Sequence, residues 1–391
     1  MNFASLVVRR RLLALCCLAV CWLPACGRSD APELRLGFVA TFSGDGFRAG
    51  RDALEAARFA VETATREGRP ALDGQPCRIR LYVRDDKNSP QEAARVVSEL
   101  ITRQHVSAII GPLTSETANA AAKAAEAAGV PLISPSATAA VVTAGRPFIF
   151  RIAFTDAFEG MVLGRLSVRE LGVTRVAVLT DEENLASRSL TEAFIQAFTA
   201  CGGQASHFPY PSRLRDFEPL VRQALGTKPE AIFLPNPSKE AVLAGLAARK
   251  LGFTGLLFGG DAWDGPEISR LPAFAGAVFL DHWREDGPGK RSASYAAAFR
   301  QIRRQAPTEL GALTQDAVDV VLRAVAEAGC ASPRALTRTL SALPSYDGVT
   351  GRFNFAADGN PIKSLSISRV TGNGTTLESR IVEPPAPCPA P

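Results

Sequence analysis

From Leu34 onward, short apolar runs rich in β-formers alternate with longer Ala-rich stretches of helical period, the pattern of parallel strands covered on both faces by helices. Strands are predicted at Leu34–Ala40, Arg78–Arg84, Val106–Ile110, Pro131–Ser134, Arg175–Thr180, Gln204–Phe208, Ala231–Leu234, Gly255–Phe258 and Ala277–Leu280. Helices are predicted near Arg48–Glu67, Pro90–Gln104, Ser115–Ala128, Ala157–Leu171, Ser187–Ala200, Asp216–Leu225 and Lys239–Leu251, each with Gly, Pro, Ser or Asp near an end. After Asp281 the rhythm changes. Helices at Arg291–Gln305, Ala312–Ala328 and Pro333–Leu343 follow one another, and strands near Gly351–Phe355, Leu365–Thr371 and Leu377–Val382 close the pattern, the first two joined by the turn Ala357-Asp358-Gly359-Asn360.

Two α/β runs followed by helices without strands of their own imply that the chain returns to a first lobe before finishing in a second. The expected fold class is α/β, two doubly wound parallel-sheet lobes joined by a multi-strand hinge. Lobe 1 is expected to comprise residues 34–151 and 284–345, and lobe 2 residues 152–283 and 346–382, with crossings near Arg151–Asp156, Asp281–Arg284 and Ser345–Gly351. The length of 391 residues agrees with two cores.

The first residues read as a signal peptide, 1–25: Arg9, Arg10 and Arg11 precede an apolar run, Leu12 to Leu23, too short to span a bilayer comfortably. Leu23-Pro24-Ala25-Cys26 resembles the lipobox of bacterial lipoproteins, which makes Cys26 the expected lipidation site, 26–33 a lipidated linker, and the membrane a partner through the N-terminal lipid. An ordinary secretory signal that happens to contain cysteines is the alternative. A Pro-rich tail, 383–391, is expected to be disordered.

The formal charge of +5 belongs largely to the leader, because residues 1–25 carry three Arg and no acid. No dense basic stripe remains, so nucleic acid is not an expected partner. Cys77, Cys201, Cys330 and Cys388 remain in a compartment that permits disulfides, with three pairings open. Their wide spacing, with His105, His207 and His282 scattered, gives no metal site. No GxSxG, HExxH or P-loop is present, and no catalytic residue or cofactor is expected. The best enzyme feature is Gly44-Asp45-Gly46 with Gly50, a GxGxxxG run between strand and helix, with Asp85 after the next strand. It keeps a dinucleotide-dependent enzyme as a remote alternative.

The segment Leu36-Gly37-Phe38-Val39-Ala40-Thr41-Phe42-Ser43-Gly44, then Asp85-Asp86, Ala108-Ile109-Ile110-Gly111-Pro112-Leu113-Thr114-Ser115 and Val130-Pro131-Leu132-Ile133-Ser134-Pro135-Ser136-Ala137-Thr138, resembles the branched-chain amino-acid-binding (Leu/Ile/Val-binding) family of periplasmic solute-binding proteins. Phe150-Arg151 through Asp156, Val176–Asp181 and Phe258-Gly259-Gly260-Asp261 continue the resemblance in family order, from about 34 to 370. It implies the type I two-lobed fold and a cell-envelope location facing the periplasm or extracellular side. It further implies capture of an amino acid, amide or small carboxylate for uptake through an ABC permease.

The resemblance assigns Ser115, Ser136 and Thr138 to one end of the ligand and Asp261 to its ammonium group. Ligands of open α/β sheets sit beyond the carboxyl ends of strands, where these turns lie, and a helix amino end suits a carboxylate. Capping of its own helix is the alternative for Ser115, a polar turn for Ser136, turn capping for Asp261 and an N-cap for Asp156, the weaker candidate at the first crossing. Phe47 stands near the family's aromatic position, which aligns with Ala49; Leu185-Ala186 replaces a Tyr-Gly pair; and a later Tyr aligns near Pro237. Leu185 is therefore expected at the site, which departs from the family's aromatic lid. Trp263 is expected to wall the pocket or to pack between lobes. Arg151 reads as a solvated strand end, with pairing to an acid at the hinge as the alternative. A sensory or regulatory envelope protein using the same clamp, without transport, is the nearer alternative function, and a scaffold that has lost its ligand is a third.

Overall fold

The computed structural model describes residues 32–72, 75–263, 266–287, 290–371 and 375–381. The leader, Cys26 and the tail 383–391 lie outside the described residues.

Strands β1 (Glu33–Ala40), β2 (Arg78–Asp85), β3 (Ala108–Ile110), β4 (Leu132–Ser134) and β5 (Ile149–Arg151) form a parallel sheet in the order β2-β1-β3-β4-β5. Helices α1 (Phe47–Arg66), α2 (Pro90–Gln104) and α3 (Ser115–Ala128) connect the first four strands. The continuous apolar runs arise because both faces are covered. Leu34, Leu36, Phe38 and Ala40 enter one core, whereas Val39 enters another with Ala118, Ala121, Ala122 and Ala125 from α3. β5 escapes prediction as a strand because three residues after Pro147 carry too short a pattern; pairing with β4 defines it.

The second lobe begins with α4 (Asp156–Arg169), β6 (Arg175–Asp181), α5 (Leu185–Ala200), β7 (Gln204–Tyr210), α6 (Glu218–Gly226), β8 (Ala231–Leu234), α7 (Ser238–Lys250), β9 (Leu256–Gly259) and β10 (Val278–Asp281). Helix α4 lies close against α5 because Gly160 and Gly164 have no side chains. A Cβ on either would stand 2.5 or 2.7 Å from the backbone nitrogens of Phe194 and Phe198. That approach fixes α4 against α5.

The chain then returns to the first lobe as α8 (Lys290–Arg303), α9 (Glu309–Ala328) and α10 (Pro333–Ser341), with Leu313, Ala317, Val321 and Leu336 buried against the β1 core. Strands β11 (Tyr346–Gly348), β12 (Gly351–Phe355) and β13 (Pro361–Ile362) make a small antiparallel sheet. Strands β14 (Leu365–Val370) and β15 (Thr375–Ile381) then complete the second lobe's sheet, in the order β15-β14-β10-β9-β8-β6-β7. β14 runs antiparallel to both neighbours.

Two sequence expectations are corrected at this end of the chain. The turn 357–360 joins β12 to β13, not to β14. Residues 346–355 do not belong to the second lobe, because Phe353 and Phe355 are buried in the first lobe's core with Phe150 at 5.1 Å from Phe355. The last crossing therefore falls at Lys363–Ser364, later than Ser345–Gly351. The other crossings run from Ile152 in the first core to Phe154 in the second, and from Leu280 in the second to Trp283 against Tyr295 of the first.

Cys201 is disulfide-bonded, and Cys77 and Cys330 are free. Among the described residues no helix is long and apolar enough to cross a membrane.

Candidate ligand-binding site

The first lobe's wall is built from the turns after β3 and β4. Gly111 (φ +91°) can only be glycine, since a Cβ there would lie 1.9 Å from the Val39 carbonyl oxygen. The turn brings Pro112 and Leu113 to Ser134 and Ser136: Ser134 Oγ donates to the Pro112 carbonyl (2.7 Å) and Ser136 Oγ to the Leu113 carbonyl (2.8 Å). Ser136 thus stitches two turns together with its only proton, leaving its lone pairs for any ligand contact. Thr114, and not Ser115, caps α3 through the Thr117 N–H, so capping does not account for Ser115. Ser115 is buried, accepts the Ala139 N–H (3.2 Å) and keeps its own hydroxyl proton to donate.

Arg151 is not a solvated strand end. Its guanidinium is fully buried and donates to the carbonyls of Ala137 (2.9 Å) and Ala139 (2.9 Å) and to Thr143 Oγ1 (3.1 Å), which clamps the turn carrying Thr138. Burial pulls its pKa down to about 10, against the opposing charges of Asp156 and Asp358. The Thr138 carbonyl in turn accepts the Asp156 N–H (3.2 Å), joining the two lobes' elements at the first crossing.

The second lobe contributes carboxylates. Thr155 caps α4 by accepting the Phe158 N–H (3.2 Å), so Asp156 is the first helical residue and not the N-cap. Asp156 is buried, and its Oδ2 has no partner among the described residues. Burial is the chief cause that pushes its pKa up to about 7; Asp261 adds to this, while Thr138, Ser189 and Arg151 oppose it. Glu159, one helical turn on, is fully buried and accepts the Asp261 N–H on Oε1 (2.8 Å). Burial, then the charges of Asp261 and Asp156, hold Glu159 well above the usual carboxylate range. Gly260 leaves the room that Glu159 fills, since a Cβ there would stand 2.6 Å from Oε1.

Asp261 is the member of this cluster that reaches the surface, with 21% of its side chain exposed. Its Oδ2 lies 2.9 Å from His282 Nε2. Burial lowers the His282 pKa, which favours the neutral ring, and a neutral ring that faces a carboxylate through Nε2 donates from that nitrogen.

The remaining expected residues lie elsewhere. Phe47 is 46% exposed at the start of α1, beside Asp45, which pairs with Lys239 of the second lobe at 3.7 Å. It stands at the rim and is not a core side chain. The Leu185 N–H donates to Glu116 Oε1 (2.5 Å), closing the opposite rim between α5 and α3. An open groove of about 830 Å³ lies outside that rim, lined by Glu116, Asn119, Lys123, Leu185 and Arg188, away from the carboxylates. Trp263 neither walls the pocket nor packs between lobes. Its ring is fully buried in the second lobe's core against Phe274 (5.4 Å) and Phe279 (6.3 Å), over the bare Cα of Gly259. An apolar ring of that size gains more from burial than from a polar wall.

The structure therefore gathers Ser115, Thr138, Asp156 and Asp261, with Ser136 one bond behind. Sequence reasoning missed Glu159 and His282. The i, i+3 spacing of Asp156 and Glu159 was the available signal for one, placing both on a single helix face. Among the described residues no group of three or more His, Cys, Asp or Glu is placed to hold a metal ion. The residues on which the dinucleotide alternative rested serve the fold. Asp85 Oδ1 is committed to the N–H groups of Phe42 (2.9 Å) and Lys87 (2.8 Å), and Gly50 packs α1 onto the Thr41 carbonyl.

Two α/β lobes, three crossings and polar strand-end turns meeting at the gap define a solute-binding protein that closes on a small molecule. The chain belongs to the periplasmic binding protein family, which matches residues 33–375. A leucine-, isoleucine-, valine-, threonine- and alanine-binding protein of Pseudomonas aeruginosa is 26% identical over 282 residues, 71% of this chain and 74% of that one. The leucine-binding protein LivK of Thermotoga maritima superposes with a TM-score of 0.83 at 29% identity, covering 89% of this chain and 98% of that one. LivJ of Streptococcus pneumoniae, solved with isoleucine, gives 0.80 at 26% identity over 90% and 100%. The family is one of non-enzymatic solute-binding proteins working outside the cytoplasm.

Proposed function

We propose that the cleft takes an amino acid or a close relative bearing a primary ammonium group. The ammonium meets Asp261, and the acid end meets Ser115, Thr138 and the amino end of α3. The closed, loaded form is passed to an ABC-type permease, beside a membrane that holds the chain through lipid on Cys26. The observation that carries this reading is Asp261, the partly open carboxylate of a cluster whose other members, Asp156 and Glu159, are buried. A cation is the group such a cluster stabilises most, through a charge-assisted bond. The relatives' names point to the same ligand class. The rim has Leu185 where the family usually carries Tyr and Phe47 close to its aromatic position, which favours a side chain bulkier than those of the branched-chain amino acids.

A thermal-shift screen of the purified protein against the standard amino acids, their amides and small carboxylates tests the reading. A ligand at about 100 times its dissociation constant stabilises by about 2.7 kcal/mol, a rise of a few degrees in Tm. Amine-bearing compounds are expected to give the largest rise; stabilisation by carboxylates alone contradicts the assignment.

A further inference from the structure

His282 occupies the point where both early crossings and the two lobes meet. Its backbone N–H donates to Glu309 Oε2 of α9 (2.8 Å), and the next N–H, of Trp283, donates to the same oxygen (3.1 Å). A first-lobe helix therefore holds the second crossing. The imidazole lies on Phe154 of the first crossing, with ring centroids 3.6 Å apart. Its Nε2 reaches Asp261 Oδ2 of the second lobe at 2.9 Å. The ring is buried, and its Nδ1 has no partner among the described residues.

With Oδ2 taken by the imidazole, Oδ1 is the oxygen Asp261 has left for an incoming donor. The neighbouring carboxylates cannot hold Asp261 the same way, since Glu159 grips only its backbone N–H. We propose that His282 is a positioning residue for cation capture: its Nε2–H fixes the Asp261 carboxylate in the closed arrangement of the lobes, so that Oδ1 is presented to the ligand's ammonium. The inference rests on the reading of Asp261 as ammonium acceptor. The bond runs from a backbone tied to the first lobe to a carboxylate of the second, so it joins capture to closure. The charged groups around the ring agree with a neutral donor. Asp261 favours a proton on Nε2, Lys363 opposes a second charge, and a proton on Nδ1 would be buried without an acceptor.

The test uses the purified protein with His282→Gln, which keeps an N–H donor, His282→Leu, which removes it, Asp261→Asn, and the Asp261→Asn/His282→Leu double variant. Each is titrated calorimetrically with the standard amino acid that most raises the Tm of the native protein at about 10 mM. His282→Leu is expected to weaken binding about tenfold or more, the loss of one charge-assisted bond, and His282→Gln to stay within about threefold. In the Asp261→Asn background the leucine substitution is expected to cost nothing further. The chain has three His, so ¹⁵N spectra of the imidazoles, assigned by the signal lost in His282→Gln, are expected to show His282 protonated on Nε2. Unchanged affinity in His282→Leu, an equal loss in the Asp261→Asn background, or an Nδ1–H tautomer overturns the inference while leaving Asp261 in place. Should His282→Leu fail to fold, the tautomer still decides. Unchanged affinity in Asp261→Asn, or no stabilising amino acid at all, overturns the underlying reading and the inference with it.

Discussion

At Asp156, ionisation and folding oppose one another. Burial raises its pKa from 3.8 to about 7, so between those values the folded chain keeps a proton that the unfolded chain releases. The folded state then binds more protons than the unfolded state, and stability falls as pH rises from about 4 to about 7 and is flat above. A shift of this size corresponds to something on the order of 4 kcal/mol. Glu159, Asp316 and Asp319 are shifted in the same direction by burial. Urea midpoints measured without ligand at pH 5 and pH 8 are expected to show native protein losing more stability than Asp156→Asn; equal losses contradict the assignment. The places of Asp261, Ser115 and Thr138 were legible in the sequence because each follows a strand and sits in a recognisable turn. Glu159 and His282 were not, because an acid in a helix and a His at a strand end acquire meaning only when Gly260 and Glu309 bring other elements to them.

Helix α9 shows how an element can hold the hinge. Asp316 is fully buried and accepts the N–H groups of Val349 (2.6 Å) and Thr350 (2.8 Å) and the Thr350 hydroxyl (2.6 Å), which locks the turn between β11 and β12 to the helix. Lys363 Nζ donates to Thr350 Oγ1 (2.7 Å) and the Ile152 carbonyl (3.4 Å), linking the last crossing to the first. Asp316→Ala leaves those donors buried without an acceptor and is expected to destabilise the protein by about 3 kcal/mol, read from denaturant melts. A change under about 1 kcal/mol contradicts this role for α9. The acid was hidden in an otherwise helical, amphipathic stretch. The same limit explains the strand errors: β5 is too short to show a period, and the alternation of β12 and β14 looks alike although they belong to different sheets. Pattern fixes which face is buried, but partner choice for short strands is decided by tertiary contact.

Across the whole molecule, the two-lobed architecture followed from alternation alone, whereas the point at which the chain last changes lobe did not. Phe353 and Phe355 fit either core by pattern, and contact with Phe150 assigns them to the first. In this structure the rims are joined by Glu116 to Leu185 and Asp45 to Lys239, and the hinge by His282, Lys363 and Glu309. A ligand that touches both lobes shifts the population toward this closed form only to the extent that it binds that form better. On the proposed reading, the ammonium contact at Asp261 is the differential contact that supplies this bias. Calorimetric titration of native protein and Asp261→Asn, each with the best-binding amino acid and with the same molecule lacking its ammonium, tests this most directly. The native protein is expected to bind the amino acid at least tenfold more tightly than the deaminated analogue, and Asp261→Asn to lose most of that difference. Equal binding of both compounds by the native protein would contradict the account.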